Sequence, residues 1–557
     1  MAAYPNVLFI MTDELRATAL KLYSDLGIET PNIENLANTG VRFEHAVTPH
    51  PLCVPARVAM MSSRYPHSTG SRRNETLMPE NELHAFKIWK DLGYTTGLIG
   101  KNHCYSHKSD LELIDVRCEI SHMGLTREHY GGENLRTTGM EWEIPEEIIT
   151  QSHSTRASMN DTTGAGEYEI TDHPIEGYST RAIAVQVKGF LEKFSQGNTF
   201  GSKNTNGSFA LQVSFPDPHH PNEIHKDIFA SIDPDSIKIP PYKSDEFTNA
   251  NVPERNKITY EMLNLDNFEE SDIRKMISVY YSMTKFIDDA IGEIIQTLED
   301  LDLRKNTIII FTSDHGDFAG EHNMFGKAGV FYDSLIRVPC IISWPNGGVP
   351  EGIVDKSLVN TIDILPTILE LSGICDFSPS KQILNKYIPY EGPQLLIDKD
   401  MTSFTSESFR RIQGKPMPSV TKTSPRLAAY SEYGAGGPLL TSEIFNTLPV
   451  KSGPKAVMNS LRAREAEGRR KMVRTAKWKY ITDTSTSKKY HLSKAKIDDE
   501  LYDLQNDPHE LLNVAYDPEN SPIISEMREL LLDWMIETED VNPVALPDRM
   551  SRDVDFI

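Results

Sequence analysis

Strand-length apolar runs alternate with helical repeats over roughly the first two-thirds of the chain, and few folds accept that pattern. Asn6–Thr12 is a continuous apolar run of strand length. Thr30-Pro31 supplies a helix cap with proline in the first turn, and Gly40 closes the segment. Leu83–Leu92 reads as a helix ended by Gly93, with Tyr94–Ile99 as the strand after it, and Ser208–Phe215 is a further apolar run. Ile277, Tyr281, Phe286, Ala290, Ile294, Leu298 and Leu301 fall at helical spacing and predict one long amphipathic helix, followed at once by the strand Thr307–Thr312. Val338–Trp344 and a helix over Ile362–Leu371 continue the series. Such alternation predicts an α/β fold, a mostly parallel central sheet sandwiched by helices.

Two stretches interrupt it. Residues 119–176 are polar and rich in Gly, Thr, Ser and Asn, which predicts long loops over one face, and residues 396–425 are similarly irregular. Beyond them, Met472–Tyr480 and Leu501–Leu504 read as short strands and Ile523–Thr538 as a closing helix. A chain of 557 residues is expected to hold more than one core. We expect residues 1–395 to form the main α/β domain. Residues 396–557 are expected to form a smaller C-terminal subdomain, a short antiparallel sheet with its closing helix.

Charge and cysteine usage narrow the function. Lys and Arg number 57 against 80 Asp and Glu, a formal charge of −23. That balance argues against nucleic-acid partners, although a few local cations can still hold one anion. The apolar runs are too short to span a bilayer, so no membrane role is expected. The opening segment MAAYPNVLFIMTDE lacks a basic flank, and we expect a cytoplasmic protein. Five scattered cysteines suggest neither a disulfide framework nor a C-x-x-C metal site.

The strongest local signal is Cys53-Val54-Pro55-Ala56-Arg57. A C-x-P-x-R sequence arises by chance in about 1 in 70 chains of this length. Pro55 suits a first helical turn, which leaves Cys53 at a helix N-terminus with Arg57 one turn on, a setting that makes a thiol acidic and reactive. A buried cysteine in a proline-rich turn is the plainer alternative. Asp13 and Asp314 fall just past the carboxyl ends of two predicted strands, where open α/β sheets place their sites. With His315 they form a donor set for a hard divalent cation, Ca²⁺ first, with Mg²⁺ or Mn²⁺ admissible. Taken alone, Asp314-His315-Gly316-Asp317 also reads as a surface turn.

These residues and their neighbours resemble the sulfatase family, in the family's order. C-x-P-x-R is similar to its signature, whose cysteine becomes formylglycine. Asp13 stands where the first metal-binding aspartate does, Gly100-Lys101-Asn102-His103 resembles G-K-x-H, and Phe215 through Pro221 resembles the P-H-x-P loop. Ser313-Asp314-His315-Gly316 corresponds to the second metal pair and Gly326-Lys327 to a later substrate lysine. Arg337-Val338-Pro339, Trp344-Pro345 and the segment Asp499–Leu504 with Asn506-Asp507-Pro508 also fit. Asn74 resembles an asparagine that contacts the sulfate in choline sulfatases and phosphonate monoester hydrolases. The chain departs from the family at Glu14, where an aspartate is common, and at Met61-Ser62-Ser63-Arg64, where L-T-G-R is frequent.

The resemblance implies an alkaline-phosphatase-like fold and hydrolysis of a sulfate monoester to an alcohol or phenol plus sulfate. The implied nucleophile is the formylglycine (3-oxoalanine) hydrate at Cys53, with one divalent cation held by Asp13, Glu14, residue 53, Asp314 and His315. Arg57 would steady the nucleophile, and Asn74, Lys101, His219 and Lys327 would bind the sulfuryl group. His219, chosen over His220 because it directly follows Pro218, would protonate the leaving group, and His103 would serve as base for release. A formylglycine-generating enzyme is the implied maturation partner, a small sulfated molecule the substrate, and a homo-oligomer is compatible with all of this. Phosphonate or phosphodiester hydrolysis on the same fold is the main alternative, although those relatives carry tyrosine and threonine where Lys101 and His103 stand. With Cys53 unmodified, a catalytically silent anion-binding protein is the other. The second Asp/His zinc set of nucleotide pyrophosphatases is not found in the sequence.

Overall fold

The computed structural model describes residues 4–376 apart from 81, 123, 126–127, 130–131, 134, 143, 160–167, 203–204 and 250, together with 394–395, 412–435, 468–483 and 499–538. Its body is built from β1 (Asn6–Thr12), α1 (Pro31–Asn38), β2 (Val41–Val47), α2 (Cys53–Ser62), α3 (Ala85–Asp91), β3 (Thr95–Gly100), β4 (Val116–Glu119), β5 (Thr137–Thr138), α4 (Ser179–Ser195), β6 (Phe209–Phe215), α5 (Glu270–Asp300), β7 (Thr307–Ser313), β8 (Arg337–Val338), β9 (Cys340–Ser343), β10 (Ile353–Asn360) and α6 (Ile364–Leu371). The strands form one ten-stranded sheet in the order β8-β2-β9-β7-β1-β6-β3-β4-β5, with β10 added beside β2. Strands β7, β1, β6, β3 and β4 run parallel at its centre, whereas β9 and β8 are antiparallel to their neighbours. The mostly parallel, helix-covered sheet is the one expected from the alternation.

Burial explains why the central strands read as unbroken apolar runs. Every residue of β1, β6 and β7 is buried, because helices cover both faces. Leu8, Ile10, Leu211 and Phe311 pack with Val187 of α4 and Ile287, Ile291 and Ile294 of α5. Val7, Phe9, Met11 and Ile310 face the other way, onto Val58 of α2, Phe86 and Trp89 of α3 and Ile368 of α6. The strand period of two thus divides one sequence between two cores.

Several predicted elements change form. Val338–Trp344 is two short strands, since Pro339 lacks the N–H a continuous ladder needs. Residues 119–176 are not all loop: Glu146–Met159 is helical, but its apolar residues, Ile148 and Ile149 among them, leave too little periodicity to announce a helix. Met472–Tyr480 is likewise not one strand. It spans two, β12 (Arg470–Arg474) and β13 (Trp478–Asp483), turned at Thr475, whose Oγ1 accepts from the Trp478 N–H at 2.9 Å.

With β11 (Ala429–Tyr433) and β14 (Glu500–Asp503), these strands make a separate four-stranded antiparallel sheet in the order β11-β12-β13-β14. Helix α7 (Ser521–Glu537) closes over it, Trp534 stacking on Tyr430 with ring centroids 4.8 Å apart. The expected boundary between residues 395 and 396 lies at the edge of residues outside those described, and 396–411 of the irregular stretch lie outside them. No helix among the described residues is long and apolar enough to cross a membrane.

A buried ionic knot ties the small sheet to the body. Lys479 of β13 pairs with Asp333 and Glu510, each at 2.6 Å, and Arg474 of β12 pairs with Asp333 at 3.1 Å. Burial alone would push the Asp333 carboxyl up, but Arg474, Lys479 and Arg337 hold it well below the usual carboxylate range. Its folded value lies below its unfolded one, so its stabilisation is present above the unfolded pKa and is lost as pH falls through the folded value. Asp333→Asn should therefore cost about 3–5 kcal/mol at pH 7. In urea titrations across pH, the gap between the two proteins should shrink below about pH 4.

Candidate active site at the carboxyl ends of the central strands

Sheet register brings the site residues to one edge. Thr12 is paired with Ser313 on one side and Phe215 on the other, and Gly100 is paired with Ser214. Strands β7, β1, β6 and β3 therefore end at one level, and the residues that follow them emerge together: Asp314, Asp13, the 216–221 loop and Lys101. Gly100 is required at its place. Its φ is +109°, and a Cβ there would lie 2.0 Å from the Ser214 carbonyl oxygen.

Helix α2 delivers the remaining groups from the β2 side. Cys53 is its first residue, and Arg57, one turn on, is fully buried. The guanidinium donates from Nε to Asp314 Oδ2 at 2.8 Å, from Nη2 to Asp13 Oδ2 at 2.9 Å, and from Nη1 to Ser214 Oγ at 2.8 Å and to the Lys101 carbonyl at 3.2 Å. Burial alone would raise Asp13, yet Lys101, Arg57 and Lys327 hold it well below the usual range. Lys101 also makes a direct ion pair with Asp13.

Cys53 Sγ lies 3.2 Å from His315 Nε2, 3.6 Å from Asp13 Oδ1 and 3.2 Å from Lys327 Nζ. Asp13, Cys53, Asp314 and His315 are all buried, with one donor atom each lying within 4.8 Å of the others. Two carboxylates and an imidazole fit a hard divalent cation, and residue 53 adds the fourth donor. Burial lowers the His315 pKa, but Asp314 and Cys53 raise it to about 9. His315 Nδ1 is 2.9 Å from the Gly316 carbonyl, so Nε2 is the nitrogen facing the cluster.

Glu14 takes a different place from the other four. Its backbone is left-handed, with φ 69°, and its N–H donates to Asp314 Oδ1 at 3.1 Å. Its carboxylate turns toward Lys327 Nζ at 3.1 Å, His219 Nε2 at 3.3 Å and His220 Nδ1 at 3.6 Å. His219 is buried, and burial followed by Lys327 pushes its pKa well down. His103 is half-buried and left-handed, with φ 41°, and desolvation followed by Lys101 pushes its pKa well down. Asn74 Oδ1 accepts the Val54 N–H at 3.2 Å, which fastens its loop to the first turn of α2.

Three neighbours of the site carried little signal in the sequence. Ser214, at the end of β6, anchors Arg57 but reads as an ordinary strand serine. Asp317 was visible within D-H-G-D, and its Oδ1 accepts from the Ala319 and Gly326 N–H groups, which shapes the loop that presents Lys327. His122 stacks on His219 with centroids 4.7 Å apart, from a polar segment with no periodicity. The variant residue Ser63 occupies a left-handed position at the end of α2, φ 57°, where glycine would be relaxed. Its Oγ donates to the Ile362 carbonyl at 2.7 Å and holds the turn.

Residues 5–374 match the family model described as Sulfatase. The chain is 25% identical over 537 residues to the uncharacterized sulfatase YidJ of Escherichia coli, covering 96% of this chain and 88% of that one. It is 26% identical over 528 residues to a choline-sulfatase of Rhizobium meliloti, covering 92% and 83%. An ulvan-active sulfatase of Formosa agariphila is 28% identical over 379 residues, 66% of this chain, and this match spans only 62% of that relative's length. Among solved structures, a phosphonate monoester hydrolase of Agrobacterium radiobacter has a TM-score of 0.65 at 21% identity, covering 96% of each chain. A 2-O GAG sulfatase has a TM-score of 0.60 at 19% identity, covering 96% and 93%. At such identities the two structures share the fold.

Removing the guanidinium leaves Asp13 and Asp314 buried side by side without their shared counter-ion. With the protein kept in chelator, Arg57→Ala should lose about 3–5 kcal/mol in urea unfolding. Arg57→Lys should recover little, because an ammonium cannot reach both carboxylates and Ser214 at once.

Proposed function

The chain belongs to the sulfatase family and is a sulfuric ester hydrolase, and from that premise we propose that it cleaves a small sulfate monoester with formylglycine 53 as its nucleophile. The observation that supports this reading is the position of Cys53 Sγ, in contact with Asp13, His315 and Lys327 at the N-terminus of α2. That sulfur stands in for a hydroxyl of the hydrated aldehyde. The donor set fits Ca²⁺ first, with Mg²⁺ or Mn²⁺ admissible, and such a cation would supply the Lewis acidity that makes the hydroxyl a nucleophile at neutral pH.

The chain's own residues do the rest. Asp314 takes the hydroxyl proton, and Arg57 fixes the two carboxylates so that neither turns away. Lys101 and Lys327 bind the sulfuryl oxygens and stabilise the charge that spreads over them as the ester bond breaks. Substrate charge offsets these lysines, which lets the otherwise neutral His219 carry the proton that the departing alcohol or phenol receives. His103, kept neutral, accepts a proton from the second hydroxyl and so releases sulfate. Asn74 lines the same side as the start of α2. Because Cys53 is only 3% exposed, the modifying enzyme must act on the chain before it folds.

Two measurements test the reading. Mass spectrometry of the peptide containing Cys53, from protein made in its native host, should find the thiol replaced by an aldehyde, and wholly unmodified cysteine would overturn it. On modified enzyme, sulfate esters should turn over faster than phosphonate or phosphate esters. The reverse order would favour phosphonate hydrolysis.

Cys53→Ser lacks the second hydroxyl, so steady-state turnover should fall by at least about 10³-fold, with the serine trapped as its sulfate ester in intact-mass spectra. His219→Ala should slow alkyl sulfates by about 10²–10⁴-fold and nitrophenyl sulfates far less, since a good leaving group needs no proton.

A further inference from the structure

Asn102 stands between Lys101 and His103, and both ends of its side-chain amide are tied to the backbone that follows. Oδ1 accepts from the Cys104 N–H at 3.2 Å and the Tyr105 N–H at 2.9 Å, while Nδ2 donates to the Tyr105 carbonyl at 2.9 Å. Two donors at one end and an acceptor at the other fix which end is oxygen. The turn these bonds close contains His103, whose φ of 41° is left-handed. A residue other than glycine keeps that conformation where its surroundings hold it. The far side of the turn is anchored: Tyr105 is buried, its ring 5.4 Å from that of Phe86 and 4.9 Å from that of His84, and the Cys104 carbonyl accepts the Met78 N–H at 2.9 Å. Lys101 is held separately. Its N–H donates to the Ser214 carbonyl at 2.8 Å, its carbonyl accepts from Arg57 at 3.2 Å, and its ammonium pairs with Asp13.

We propose that Asn102 is a positioning residue for the second half of the reaction, holding the His103 imidazole where it takes the proton of the second hydroxyl as sulfate departs. In that step the O–H bond breaks toward His103 and its electron pair forms the aldehyde C=O. The C–O bond to sulfate breaks, and sulfate leaves with the electrons of that bond. The first half, attack at sulfur, uses Lys101, Lys327 and Asp314, and the Asn102 side chain bonds to none of them. Loss of the amide therefore disturbs release and spares attack. The assignment rests on the reading of His103 as the base for release.

The test compares Asn102→Ala and His103→Ala with the parent, all fully modified and in Ca²⁺, on a nitrophenyl sulfate, whose good leaving group makes the first half fast. Asn102→Ala should lower kcat by about 10²-fold, the cost of a misplaced catalytic group, with kcat/KM within about twofold of the parent. Nitrophenol should appear in a burst, and rapid-quench intact mass should find enzyme carrying one SO₃ group as the main species. Asn102→Asp keeps the acceptor for both N–H groups and loses the donor to Tyr105, so its kcat should lie between those of the parent and Asn102→Ala. In a crystal structure of Asn102→Ala with Cys53 unmodified, Lys101 should keep its place and His103 should leave the left-handed region. If His103→Ala accumulates the sulfated enzyme and Asn102→Ala does not, the proposal fails. It fails equally if kcat/KM falls as far as kcat, or if His103 is unmoved in the crystal. A His103→Ala enzyme that accumulates no sulfated form overturns the reading of His103 as the base, and the proposal with it.

Discussion

One buried guanidinium organises the centre of this protein. Arg57 reaches from α2 to the ends of β1 and β7 through Asp13 and Asp314, and to β6 through Ser214. Each carboxylate alone would be a costly buried charge, and the two together would repel. With the arginine between them they become a fixed, anionic cradle whose open side faces Cys53, Lys101 and His315. That arrangement holds the start of α2 against the ends of the central strands and helps to keep Asp13 well below the usual carboxylate range.

The cradle also resolves an apparent conflict of charge. The chain carries −23 overall, which repels polyanions at long range. Within the cleft Lys101, Lys327 and Arg57 are gathered against the buried carboxylates, so cationic groups are concentrated there although the chain as a whole is acidic. Such a pocket suits one monoanionic ester. Burial and the neighbouring lysines push the pKa values of His103 and His219 well down.

Much of this was legible in the sequence because it depends on local order. Unbroken apolar runs mark strands buried on both faces, and Cys53 through Arg57 states the start of a helix and the groups on its first turn. Asp13 and Asp314 were readable as strand-end residues without knowledge of the sheet. The failures have equally local reasons. Pro339 and Thr475 split what hydrophobicity alone joins, and the helix at Glu146–Met159 has no apolar stripe to announce it. Ser214 and His122 gave no sign, since an isolated serine or histidine takes its meaning from what lies across the sheet.

Glu14 marks the division most clearly. Sequence determined that a carboxylate follows Asp13 at the end of β1, and therefore that both belong near the site. Which partners it takes was decided only by the fold. With its left-handed backbone and the loop bearing His219 and His220 beside it, the side chain meets Lys327 and two imidazoles. The sequence thus specifies the strands, the helix start and the chemical groups, because those depend on periodicity and on neighbours in the chain. The pairing of Arg57 with two aspartates some 300 residues apart, and that of Glu14 with Lys327, come only from tertiary structure. Both rest on side-chain directions at the sheet edge, which no spacing along the chain encodes.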